Sequence, residues 1–212
     1  YEKTGGPTVD GVIAFTPEIL KKFLAITGPI RMDAYGMTID ENNFLEAIQY
    51  QVEVAYDKET NRPKQILSDL APILLERIFG ENSTPGAFGK ALSAVEEGLS
   101  EKHMLFYSRN RDMERLIQNV GWSGEVLPAD RDYLSVIHSN INGYKTDGVI
   151  RETIAHRASI QDDGSVVDTV SVKRTHVGGH TGREWWDRVN ADYMRVYVPL
   201  GSTLLSAEGY TR

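Results

Sequence analysis

The sequence predicts an α+β chain: a helix-rich α/β unit over residues 1–128, followed by an antiparallel, sandwich-like β unit over 129–212. Three observations predict it. Apolar residues recur at helical spacing as far as Val120. The period then drops to two, after a Gly-, Pro- and Asp-rich stretch at 121–132. Finally, Gln161-Asp162-Asp163-Gly164 stands as a hairpin turn between two runs rich in β-branched residues.

The elements follow in order. Gly5-Gly6-Pro7 opens a turn, and Val9 to Phe15 is an apolar run of strand length without strict alternation, the pattern of a strand covered on both faces. Thr16-Pro17-Glu18 starts a helix whose stripe is Ile19, Leu20, Phe23 and Leu24, and Gly28-Pro29 ends it before a short strand at Ile30 to Met32. Thr38 and Glu41 have capping-box spacing ahead of a helix carrying Phe44, Leu45, Ile48 and Val52. Asn61 is placed to cap a third helix, from Ile66 through Ile78, with Pro72 a kink point. Phe88, Leu92, Val95 and Leu99 predict the buried face of a fourth. His103 to Tyr107 predicts a buried strand and Asp112 to Val120 a short helix. The core expected of the first unit is Val12, Ile13, Phe23, Leu24, Phe44, Ile48, Leu67, Leu70 and Leu74. Beyond the linker, strands are expected at Leu134 to Ile137, Gly148 to Ile160, Val166 to Thr175 and Tyr193 to Val198, with a last one through Leu204 and Leu205.

Composition excludes several classes. The net charge of −7 has the wrong sign for a phosphate-backbone binder, and Lys and Arg are dispersed, so nucleic acid is not an expected partner. With no cysteine there is no disulfide, thiolate metal site or thiol nucleophile. No apolar run approaches the roughly 20 residues that span a bilayer. The chain begins at Tyr1 rather than Met, which reads as a piece with any signal or anchor upstream. No Gly-x-Ser-x-Gly elbow or phosphate-cradling glycine loop occurs.

Four cations are the candidate ligand-binding residues. Arg62 and Lys64 flank Pro63 at the expected start of the third helix, where free amides and cationic side chains converge on an anion. Arg109 and Arg111 follow a strand, where open α/β sheets hold ligands. His176 and His180 have metal-like spacing, but Gly178 and Gly179 between them speak against a helix, so no metal and no cofactor is expected. Trp185-Trp186 offers a sugar-stacking ring if one indole faces outward, as paired residues do in an extended chain. Asp162-Asp163-Gly164 lacks calcium-loop spacing.

Several segments together carry a resemblance: Gly5 to Ala14 (GGPTVDGVIA), Gly28-Pro29-Ile30, Thr38 to Asn42 (TIDEN), Gly121-Trp122-Ser123-Gly124, Asn140 to Asp147 (NINGYKTD) and Arg195 to Ser202 (RVYVPLGS). In this order they resemble a bacterial family of uncharacterised proteins, domain-of-unknown-function family 4012. Members carry an N-terminal membrane anchor, which implies a bacterial cell-surface location through an upstream segment outside this chain. Val9 to Ile30 also resembles the middle of the LytR–CpsA–Psr phosphotransferases, which attach glycopolymers to cell walls. There, an arginine-bearing helix start reaches a lipid pyrophosphate, and Asn61-Arg62-Pro63-Lys64-Gln65 occupies the comparable place. The resemblance implies a cell-wall glycan or lipid-linked glycopolymer as partner. The favoured expectation is a non-catalytic envelope scaffold or ligand-binding domain, with a flat surface at Arg62 and Lys64. The phosphotransferase alternative requires a pocket there, facing the end of the Val12 to Phe15 strand and lined by further Arg or Asp.

Overall fold

The structure, a computed structural model, describes residues 6, 8–56, 58–59, 61–81, 83–126, 132–141 and 144–209. The turn read at Gly5-Gly6-Pro7 is therefore described only at Gly6, and the boundary expected at 128/129 lies outside the described residues. The chain is mixed α+β and divides into two compact units, Tyr1–Leu127 and Pro128–Arg212. Four antiparallel two-stranded sheets are present among the described residues, and no sandwich or closed barrel. No described helix is long and apolar enough to cross a membrane.

In the first unit, β1 (Gly11–Phe15) leads through Thr16 into α1 (Pro17–Thr27). Thr16 does not cap α1 with its side chain; its Oγ1 meets His103 Nδ1 at 3.0 Å instead. Gly28, at φ +76°, closes the helix with its amide on Leu24 O, and β2 (Ile30–Met32) pairs with β3 (Met37–Ile39) around a 3-10 turn at Asp33–Tyr35. The capping box expected at Thr38 is not formed. Thr38 lies in β3, and Asp40 and Asn43 close the turn instead, Asp40 Oδ1 accepting the amides of Asn42 and Asn43. The helix α2 (Phe44–Tyr50) therefore begins later, and it widens into a π-helical segment at Gln51–Ala55.

The third helix also starts later than expected. Asn61 takes a left-handed φ of +48°, Arg62 O accepts the Gln65 amide, and α3 spans Gln65–Phe79 with Pro72 inside it. Ile66, Leu70 and Leu74 complete an apolar core with Leu24, Ile30, Met32, Ile39, Phe44 and Ile48, with Phe23 and Leu67 packed at its margin. Each such side chain contributes about 1.5–3 kcal/mol by leaving water.

Two expectations about burial fail. Val12 and Ile13 are not core residues: among the described residues β1 pairs with β4 (Met104–Ser108) alone, and Val12 and Ile13 are 49% and 59% exposed. In α4 (Ala87–Ser100) the buried stripe is Ala87, Ala91, Ala94 and Gly98, joined by Leu99, while Phe88 and Leu92 are exposed. The reason is close approach to α1. A Cβ on Gly98 would collide with the end of Ile19, and Lys22 Nζ reaches Glu97 across the contact at 2.6 Å. Helix α5 (Arg111–Asn119) is capped by Asn110, whose Oδ1 accepts the amides of Asp112 and Met113 at 3.0 Å each.

The second unit is built from two ribbons. One pairs β5 (Ser135–Asn140) with β8 (Asp192–Tyr197); the other pairs β6 (Ile150–Ile160) with β7 (Val166–His176) through the 161–164 turn, where Gly164 supplies φ +81°. The strand expected through Leu204 and Leu205 is absent, and both side chains are exposed. Where the ribbons meet, the contacts are polar. His138 Nδ1 lies 2.8 Å from Asp192, His138 Nε2 makes a 2.6 Å ion-pair contact with Glu152, and Arg174 reaches Asp192 at 2.7 Å and Glu152 at 3.2 Å. Asn190 extends the cluster to Asp147 and to the fully buried Thr146.

Candidate functional site

A cleft of about 740 Å³ opens in the first unit, between the 3-10 turn after β2, the π segment and the turn before α3. Ala34, Tyr35, Gln51, Ala55, Tyr56, Arg62, Pro63, Gln65 and Ile66 line it. Each wall has a local cause. Gly36 takes the left-handed φ of +63° that closes the turn presenting Tyr35. The π segment, a geometry that clusters at functional sites, brings buried Gln51 and then Ala55 and Tyr56 to the opening. The left-handed Asn61 reverses the chain and sets exposed Arg62 on the rim.

Tyr35 is held by chemistry at its tip. Its hydroxyl donates to Asp69 Oδ2 at 2.5 Å, and Gln65 Nε2 donates to Asp69 Oδ1 at 2.8 Å. Withdrawal from water, followed by this bond to a carboxylate, pushes the phenol up to about 12. The same two bonds, Tyr35 first, hold the Asp69 carboxyl below its ordinary range. The cleft thus offers two phenols, two amides and one guanidinium, and no carboxylate stands among its lining residues.

Of the four candidate cations, Arg62 lines this cleft and Lys64 does not; Lys64 is an exposed residue just before α3. The helix-start argument for the pair is corrected by the later start of α3, since Pro63 precedes the helix instead of forming its first turn. Arg109 and Arg111 line a separate, shallow depression of about 360 Å³ at the end of β4, with Tyr107, Glu114 and Arg115. Their sheet is a two-stranded antiparallel pair, so the argument from open parallel sheets does not apply to it.

The remaining sequence candidates settle differently. His176 Nε2 meets Arg188 O at 2.9 Å, and its Nδ1 accepts the Gly178 amide. The glycine-rich loop after it wraps Asp187, whose carboxylate accepts the amides of Gly179, Thr181 and Gly182 and the Thr181 hydroxyl. Withdrawal from water works to raise the Asp187 pKa, but the Thr181 hydroxyl and these amides outweigh it and hold the carboxyl at about 2. The outward Trp is corrected as well: 185 and 186 sit in a turn, Trp185 is buried and Trp186 half-buried, with their rings packed edge-on at 6.0 Å.

Sequence reasoning missed Tyr35, Gln51, Tyr56 and Gln65 in the cleft. It also missed Asp132, His156 and Asp168, whose ligand atoms lie within 4.8 Å of one another. These three are exposed; His156 Nε2 is already 3.0 Å from Asp168 Oδ1, and Asp132 Oδ1 accepts the Tyr133 amide.

The fold and cleft define an α+β domain with an open site edged by one cation. Residues 1–52 match the family described as Protein of unknown function (DUF4012), and over that span the chain is similar to a domain of unknown function. The match holds β1, α1, the Tyr35 turn and Gln51, whereas Tyr56, Arg62 and Gln65 lie beyond it. No curated protein and no solved structure matches the chain.

Proposed function

We propose that this chain is a non-catalytic ligand-binding domain of a bacterial cell-envelope protein, and that the Tyr35–Tyr56–Arg62 cleft holds a sugar unit bearing an anionic group. One observation carries this reading: the cleft's lining is two phenols, two amides and one guanidinium. Phenols and amides suit the apolar faces and hydroxyls of a sugar, and Arg62 suits a phosphate or carboxylate. A phenol pushed up to about 12 is a poor base at neutral pH, which favours binding over proton transfer. The cell-surface location and the anchor upstream rest on the resemblance of the motif segments.

The phosphotransferase is the second reading, because Arg62 sits in a cleft where the non-catalytic reading expected a flat surface. It required further Arg or Asp and the end of β1, and none of these lines the cleft. Titration with a panel of phosphorylated and acidic saccharides, alongside a soluble polyprenyl pyrophosphate analogue, tests both. Saccharide binding weakened about tenfold or more by Arg62→Ala and unchanged by Lys64→Ala is expected, since a charge-assisted bond contributes roughly 1.5–3 kcal/mol. Turnover of the pyrophosphate would replace this reading with the enzyme. Binding of no anionic sugar would remove it.

A further inference from the structure

The β6–β7 ribbon has two chemically opposite faces. Its register places Glu152, His156, Asp168 and Arg174 on one face, where each has a charged partner. The other face presents Arg151, Arg157 and Lys173 among the hydroxyls of Thr153, Thr169 and Ser171, and carries no carboxylate. All six of these residues are exposed, and the three cations make no ion pair among the described residues. In the turn that joins the two strands, Asp163 is committed to Ser165. In a chain of net charge −7, an acid-free face with three unpaired cations is a local reversal of sign.

From this face we infer that the ribbon is a docking surface for a linear anionic polysaccharide, independent of the cleft in the first unit. Charge complementarity selects the partner's sign and geometry selects its shape. Arg151 and Arg157 are six residues apart on one strand, about 20 Å at 3.4 Å per residue, with Lys173 between them opposite Thr153. The cations therefore form a line instead of converging on a point, so they suit repeated charges better than a single phosphate. Two-stranded ribbons twist strongly, so the line winds about the ribbon axis, and a flexible chain can follow it where a membrane plane cannot. The face has no aromatic ring on which bases could stack, which disfavours single-stranded nucleic acid. Its hydroxyls are the donors and acceptors that sugar hydroxyls pair with.

The test is affinity of the full chain for polygalacturonate and dextran sulfate, with neutral dextran and single-stranded DNA as comparisons, across a salt series. Binding of both acidic polymers but not neutral dextran is expected, with log affinity falling against log salt at a slope of about −2 to −3 for three contacts. Arg151→Gln with Arg157→Gln and Lys173→Gln should weaken binding at least tenfold. Lys58→Gln with Lys64→Gln and Lys90→Gln, the same charge change placed on exposed first-unit residues outside the cleft, should leave it unchanged. Equal loss in both triple variants would reduce the effect to net charge and overturn the surface. Tighter binding of DNA than of either polysaccharide would overturn the partner, and so would undiminished binding by the ribbon variant. Circular dichroism of the ribbon variant checks that its exposed substitutions leave the fold in place.

Discussion

The two units are held together by different forces. The first buries Leu24, Ile39, Phe44, Ile66 and Leu70 almost completely in one apolar cluster. In the second, Trp185 is the buried apolar residue among those described, and the ribbons meet through His138, Glu152, Arg174 and Asp192. An apolar core tolerates salt and pH because it holds no charge. A polar junction depends on every partner being present, since removing one leaves another facing the interior unpaired. The comparison therefore assigns each unit its own vulnerability.

The sharpest break comes from Leu24→Ala, at a fully buried position. We expect a loss of about 2–5 kcal/mol in the first unit, read by denaturant unfolding and by hydrogen exchange of α1 and α3. A smaller loss, about 1–3 kcal/mol and confined to the second unit, is expected from Arg174→Ala, which removes the cation paired with Asp192 and Glu152 and the hydrogen bond to Asn190. Arg174→Lys should recover only part, because one ammonium cannot span both carboxylates as the guanidinium does. If Arg174→Ala left exchange in β7 and β8 unchanged, the polar junction would not be what joins the ribbons.

Acid sharpens the same contrast. The Asp187 carboxyl is held at about 2 against an ordinary 3.8, so its folded pKa is depressed. Its contribution is present above the ordinary value and is lost as pH falls through about 2. Protection of the Gly179, Thr181 and Gly182 amides should therefore fade between about pH 4 and 2, and Asp187→Asn should abolish that dependence. The smallest effect is spectroscopic. Tyr35 should ionise near 12, and the phenol is protonated in the fold, so its contribution declines as pH rises from about 10 towards 12. Asp69→Asn should lower that midpoint. An unchanged midpoint would show that the contact between Tyr35 and Asp69 does not persist in solution.

How much of this was legible in the sequence follows from the same physics. Helices α1, α2 and α3 and the hairpin of β6 and β7 announce themselves because period and turn chemistry are local. The face of α4 was misread because the search was for large apolar residues. The face that α4 buries is Ala87, Ala91, Ala94 and Gly98, a stripe equally visible in sequence but small. Exposure of β1 could not be read, since an apolar run states what a strand is suited to and not whether a second layer exists. Arg62 was found by its charge beside a helix start, but Tyr35 comes to it from a turn much earlier in the chain, and Tyr56 from the end of a π segment that no periodicity announces. The junction of the second unit leaves no periodic trace, because His138, Glu152, Arg174 and Asp192 look like ordinary surface residues one at a time.

The π segment at Gln51–Ala55 also makes the first unit sensitive to length. A π turn holds one more residue between bonded groups than an α turn does, so it behaves as an accommodated insertion. Deleting one residue between Gln51 and Ala55 should let α2 run on as regular helix, keeping Phe44 and Ile48 in the core. The chain between the segment and α3 would absorb the shortening, about 1.5 Å of helix rise, and leave Ile66 and Leu70 in the core. Tyr56 would then leave the cleft while the fold survived, separating by chain length alone what the first unit needs in order to fold from what it needs in order to bind.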